Sequence, residues 1–222
     1  MDKKRITLFM GHYGSGKTNV AVNYAIYLKN QGEKVSIYDL DIVNPYFRTI
    51  DAEKTLKSEG VELVVSPFAE TNVDVPAMNS ASYKMTADKS HYAVVDVGGD
   101  DRGALALGRF ADAIKEEDNF NALMVVNIYR PETRDLQGVK EIKEEIENAC
   151  KIKFNGIVNN SNLGNETTVE TILSSVEVVN EISRELNLPI KFTTVKKELV
   201  EQIEKTVENV LPLGLIKYGE WL

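Results

Sequence analysis

The sequence predicts a three-layer α/β/α sandwich, with helices on both faces of a mostly parallel sheet of about seven strands. Three observations carry that expectation. Short β-rich apolar runs alternate with longer segments at helical spacing along the chain. Several of the runs are apolar nearly throughout, as strands covered on both faces are. No repeat, low-complexity tract or linker interrupts the 222 residues, so a single domain over 1–222 is expected.

The expected strands are Ile6–Met10, Val35–Tyr38, Val61–Val65, Tyr92–Val97, Ala122–Val126, Gly156–Val158 and Ile190–Thr193. Between the first two lies Thr18–Lys29, where Val20, Ala21, Tyr24, Ala25 and Leu28 form one helical stripe. The stretch Ser66–Ser90, around Pro67 and Pro76, reads as a loop over the site or a small helical insertion. A long helix is expected over Thr168–Leu186, with Thr167 and Glu170 as its capping box. Leu199, Val200, Ile203, Val207 and Val210 mark a last amphipathic helix. Right-handed crossovers between parallel strands put the binding loops at the strands' carboxyl ends.

Composition narrows the function classes. Apolar residues make up 43% of the chain and charged residues 27%, ordinary values for a soluble globular protein. A single cysteine, Cys150, rules out an internal disulfide framework and fits a cytoplasmic setting. No apolar run approaches the roughly 18 to 20 residues that span a bilayer, and Ile6–Met10 is too short for a signal sequence. The net charge of −8 argues against sequence-independent binding to nucleic acid, which depends on basic contacts to phosphate.

The strongest local signal is Gly11-His12-Tyr13-Gly14-Ser15-Gly16-Lys17-Thr18, which fits G-x-x-x-x-G-K-[S/T] at every position. It follows an expected strand and opens an expected helix. A polyphosphate must lie against backbone N–H groups, and the glycines let the chain curl around it. The helix start aims its positive end at the same phosphates. Lys17 neutralises the β- and γ-phosphates, and the Thr18 hydroxyl ligates Mg²⁺. Hydrolysis also needs a carboxylate near the metal and a group that positions water. The fourth strand ends Val95-Asp96-Val97-Gly98-Gly99, which places Asp96 near the magnesium and lets Gly98 or Gly99 offer an N–H to the γ-phosphate. The second strand ends Tyr38-Asp39-Leu40-Asp41; residues two apart on an extended segment point the same way. Asp41 is assigned to water positioning and Asp39 to the Mg²⁺ shell, so Lys17, Asp41 and Asp39 form the expected catalytic set.

These motifs resemble the MinD/ParA/CobQ/CobB group of P-loop ATPases, over the chain from Ile6 to about Thr194. The resemblance also covers Pro131-Glu132 after the fifth strand and Asn159-Asn160 after the sixth. It implies that Asp41 is the water-activating residue of switch I, that Gly99 is the hinge of switch II, and that Asn159 or Asn160 contacts the adenine edge. Asn44-Pro45-Tyr46-Phe47-Arg48 falls where switch I is expected, with Arg48 either reaching phosphate or closing a turn. MinD and ParA members usually carry a signature lysine right after the first glycine of the loop, which reaches across a dimer. This chain has His12 there, so the cross-dimer mechanism is in question while a homodimer stays open. Metal-inserting GTPases of the class read guanine through Asn-Lys-x-Asp, which is absent here, so ATP is expected over GTP. The acidic last segment supports neither a DNA-bound nor a membrane-cycling role.

The leading expectation is a Mg²⁺-dependent ATPase whose switch loops, Asp39–Arg48 and Asp96–Arg109, act on an unknown partner protein. A second is an enzyme that uses the γ-phosphoryl group to activate a small acidic substrate, bound by Ser66–Ser90 with Arg102, Arg109 and Arg130. A third is a nucleotide-sensing scaffold with little turnover.

Overall fold

Burial on both faces is what holds these strands in one sheet. The computed structural model describes residues 1, 3–41, 49–65, 80–99 and 101–214, the side chains of 80–82 and 101 excepted. Its strands are β1 (Ile6–Met10), β2 (Val35–Leu40), β3 (Glu62–Val65), β4 (Tyr92–Val97), β5 (Phe120–Val126), β6 (Gly156–Asn159), β7 (Ile190–Lys196) and β8 (Val210–Leu213). They lie in the order β3-β2-β4-β1-β5-β6-β7-β8, and every pairing is parallel. The helices are α1 (Lys17–Asn30), α2 (Glu53–Ser58), α3 (Ser80–Ala87), α4 (Asp101–Gly108), α5 (Ala111–Glu117), α6 (Leu136–Cys150), α7 (Val169–Leu186) and α8 (Val200–Ile203).

Two apolar layers flank the sheet. On one face Ile6, Leu8, Met10, Tyr38, Leu40, Val95 and Val97 pack against Leu107 of α4, Ile114 of α5, Val139 of α6 and Ile182 of α7. On the other, Phe9, Ile37, Val94 and Val125 meet Val20, Ala21, Tyr24 and Leu28 of α1 and Leu56 of α2. Each such side chain contributes about 1.5–3 kcal/mol when fully buried, so both layers are strongly held. The two-residue period of a strand then has a functional consequence. Asp39 follows Ile37 by two and Asp96 follows Val94 by two, so both carboxylates lie on the face that α1 covers.

The strand order places the crevice. β1 has β4 on one side and β5 on the other, so the chain moves to opposite sides of β1 after β1 and after β4. Loops at the carboxyl ends of β1, β4 and β5 therefore diverge around a gap, the usual ligand position in such sheets.

The sheet is wholly parallel and has an eighth strand. The last helix expected from Leu199 to Val210 is instead a 3-10 turn and the single turn of α8, and Val210 opens β8 on the edge. The apolar set still packs as a unit, with Ile203, Val207 and Val210 against Ile172 and Val195. The cap of α7 lies one residue further on: Thr168 accepts from the Thr171 backbone, and the Thr171 hydroxyl accepts in return from the Thr168 backbone. Of Ser66–Ser90, residues 80–87 are α3, and 66–79 lie outside the described residues. Asn44–Arg48 lies outside them too. Among the described residues no helix is long and apolar enough to cross a membrane.

Candidate functional site

The loop from Gly11 to Gly16 joins β1 to α1, as its motif requires. Gly16 is the N-cap residue of α1 at φ 82°, a left-handed position that suits glycine, and no side chain caps the helix. The first backbone N–H groups of this 14-residue helix are thus left for an anion. Lys17 and Thr18 are buried at the base of the loop. Gly99 closes over them from the end of β4: a Cβ there would stand 2.8 Å from Lys17 Nζ and 2.8 Å from the Tyr13 backbone nitrogen. Gly98 is buried against α4, where a Cβ on Gly103 would meet its Cα at 2.5 Å. Gly14 has open space around it. The Ser15 hydroxyl is buried without a partner.

The carboxylates converge on the same spot. Asp39 and Asp96 face each other in the register of β2 and β4, and Asp41 lies just beyond; all three are buried. Asp39 Oδ1 accepts from the Asp41 backbone N–H at 3.0 Å. The Thr49 hydroxyl donates to Asp96 Oδ2 at 2.8 Å, while Asp96 Oδ1 is buried with no hydrogen-bond partner. Burial pushes the Asp96 carboxyl above its ordinary range. The Lys17 charge and the Thr18 and Thr49 hydroxyls pull it back, and the Asp41 charge pushes it further up. One carboxylate oxygen is thus left without a hydrogen bond inside the fold, in a position where a cation could be received. Among the described residues no group of three His, Cys, Asp or Glu side chains could hold a metal alone. Magnesium needs no such group, since it is usually held by one or two carboxylates, substrate phosphates and water.

Asn159 and Asn160 are both buried, with their amides committed to protein partners. Asn159 Nδ2 donates to Ser175 Oγ at 3.0 Å, and its Oδ1 accepts from the Ser161 N–H at 3.1 Å. Asn160 Nδ2 donates to the Ser15 carbonyl at 2.6 Å, inside the phosphate loop. Just outside them, a cavity of about 190 Å³ opens between the first turn of α1 and the ends of β6 and β7, lined by Asn19, Ser161, Asn162, Thr194, Lys197 and Glu198 among others. Sequence reasoning missed this cavity and Thr49. The one available signal for Thr49 was a hydroxyl residue shortly after switch I.

The model of the CobQ/CobB/MinD/ParA nucleotide-binding domain matches residues 6–219. The chain belongs to that family. Solved structures share its fold at low identity. FtsY from Thermotoga maritima is 17% identical at a TM-score of 0.62, over 87% of this chain and 62% of that one. FtsY from Mycoplasma mycoides is 22% identical at 0.60, over 87% and 61%. The signal recognition particle 54 kDa protein from Aeropyrum pernix, in complex with GDP, is 17% identical at 0.53, over 85% and 40%. This chain thus spans about three fifths or less of the length of these structures. No curated protein sequence matches it significantly. As a member of the CobQ/CobB/MinD/ParA family it is a nucleotide-binding P-loop NTPase.

His12 stands directly after the first glycine of the loop. His12 Nδ1 lies 2.9 Å from the Tyr13 carbonyl oxygen and 3.9 Å from Glu132 Oε2, so the ring folds back on its own loop and toward Pro131-Glu132. Tyr13 beside it is 56% exposed.

Proposed function

We propose that this family member is a Mg²⁺-dependent ATPase whose hydrolysis resets its switch loops and so acts on a partner protein. The observation that carries the reading is the orphaned Asp96 Oδ1, buried beside Thr18 and Lys17 at the end of the phosphate loop. Lys17 neutralises the β- and γ-phosphates, and the open first turn of α1 receives them. Thr18 and Asp96, with Asp39 beside them, would hold Mg²⁺, which would supply charge neutralisation for the phosphates. Asp41 orients the attacking water. Gly99 offers its N–H to the γ-phosphate, so loss of that group releases the segment leading into α4. Of the first switch loop, Asp39–Asp41 belong to the described residues.

The base, adenine in this reading, is assigned to the cavity lined by Asn19, Ser161, Asn162 and Thr194, since the Asn159 and Asn160 amides already hold protein groups. The test is phosphate release from Mg²⁺-ATP. Asp41→Ala should lower it about 10²-fold or more, the usual size of a lost proton-accepting or water-orienting group, while ATP binding stays within a few fold. Equal turnover in both proteins would overturn the role of Asp41.

A further inference from the structure

We propose that Asn160 is a positioning residue for the phosphate loop, fixing the Ser15–Gly16 peptide so that its N–H faces the bound polyphosphate, and that it does not read the base. The inference rests on the reading that a polyphosphate occupies the loop.

Asn160 is 145 residues from Ser15, yet its Nδ2 donates to the Ser15 carbonyl at 2.6 Å in a fully buried contact. The amide is locked from its other side. The Thr194 hydroxyl donates to Asn160 Oδ1 at 2.6 Å, and the Asn160 backbone N–H donates to Val126 O at 2.8 Å. A carbonyl can only accept and must face the NH₂ group, so the network itself sets which end of the amide points into the loop. The peptide unit is planar and trans, so its C=O and N–H point in opposite directions. Holding the Ser15 oxygen outward toward β6 therefore turns the Gly16 N–H inward, to the side a phosphate would occupy.

Two further contacts agree. A Cβ on Gly16 would stand 2.4 Å from Asn160 Nδ2, so the glycine at this position makes room for the asparagine as well as for its own φ of 82°. A Cβ on Gly11 would meet Val125 O at 2.7 Å. The loop thus rests on the ends of β5 and β6 at its first glycine and its last. Thr194, which orients the amide, also lines the cavity proposed for the base, so the two subsites share one brace.

The test compares affinities for Mg²⁺-ATP and for Mg²⁺ with inorganic tripolyphosphate, which has no base. Asn160→Asp keeps the shape and the acceptor for Thr194, but sets an oxygen against the Ser15 carbonyl. It should weaken both ligands by the same factor, about tenfold to hundredfold, as expected for losing one buried hydrogen bond. Thr194→Val frees the amide to turn and serves if Asn160→Asp does not fold; because Thr194 also lines the cavity proposed for the base, it is read on tripolyphosphate, whose affinity should fall by a smaller factor. A loss confined to ATP would overturn the proposal and make Asn160 a base contact. Unchanged affinity for both ligands, whatever happens to the unfolding midpoint, would also overturn it, because the residue would then only support the fold. If the wild-type chain bound neither ligand, the polyphosphate reading itself would fail, a result separable from any effect of the variants.

Discussion

Gly99→Ala puts the smallest possible side chain where the end of β4 meets the phosphate loop. Its Cβ would lie 2.8 Å from Lys17 Nζ, 2.8 Å from Tyr13 N and 2.9 Å from Tyr13 Cα, all shorter than the 3.0 Å that real Cβ contacts respect. The ammonium sits on a flexible stem and can give way. The Tyr13 backbone cannot do so without moving the loop. Overpacking of this kind costs about 1–3 kcal/mol of stability. The larger effect falls on binding, because the displaced Lys17 loses a charge-assisted contact worth about 1.5–3 kcal/mol. That converts to roughly 10- to 150-fold in Kd for ATP, at about 1.4 kcal/mol per decade. Calorimetric titration with Mg²⁺-ATP and Mg²⁺-ADP measures it, and the loss should be greater for ATP because Gly99 is placed at the γ-phosphate. An ATP affinity within twofold of wild type, in a chain that remains folded, would refute the placement of Gly99.

Two further predictions follow from other parts of the molecule. Glu147 is buried on α6 and accepts from Lys153 Nζ at 2.8 Å and from the Phe154 N–H at 3.0 Å, with Lys143 Nζ at 3.1 Å. Burial pushes its carboxyl up, but these donors outweigh burial and hold it below the ordinary 4.5. As pH falls, the unfolded chain therefore takes up this proton before the folded one does. The contribution is complete well above pH 4.5 and is lost as pH drops through the lower folded value. Glu147→Gln should lower urea stability at pH 7 by about 1.5–3 kcal/mol and flatten the acid limb of the profile; an unchanged limb would contradict the reading. In the second, ATP should raise the unfolding midpoint more than GTP at equal concentration, since a ligand stabilises the state it binds. Stabilisation by GTP alone would reverse the base preference.

Much of this was legible in the sequence, for reasons that can be named. The strands showed because buried parallel strands are β-rich and apolar, and β1 and β4 run as the pattern sets them. The loop showed because its glycines, lysine and threonine are contiguous, and Asp39 and Asp96 because each ends such a run. The cap of α7 was displaced because the Thr167 hydroxyl donates to Gly164 O at 2.8 Å and accepts from the Leu163 N–H, leaving Thr168 to cap. The segment after β7 misled because Leu199, Val200, Ile203 and Val207 keep helical spacing across a short helix and a turn. Asn209, at φ 54°, breaks the helical path before β8. Pro212, which has no N–H to donate, is tolerated in β8 because that strand lies at the sheet edge. The cavity, the Thr49–Asp96 bond and the Asn160–Ser15 bond were not legible at all. Each depends on residues that only the fold brings together, with no local pattern to announce the partner.

The central claim is that Asp96 and Thr18 hold magnesium against a triphosphate seated on Lys17. The most direct measurement is ATP affinity with and without Mg²⁺, in the wild-type chain and in Asp96→Asn. Wild type should bind ATP more tightly when Mg²⁺ is present, and Asp96→Asn should bind ATP with an affinity that Mg²⁺ no longer improves. The same gain from Mg²⁺ in both proteins, or no gain in wild type, would contradict it.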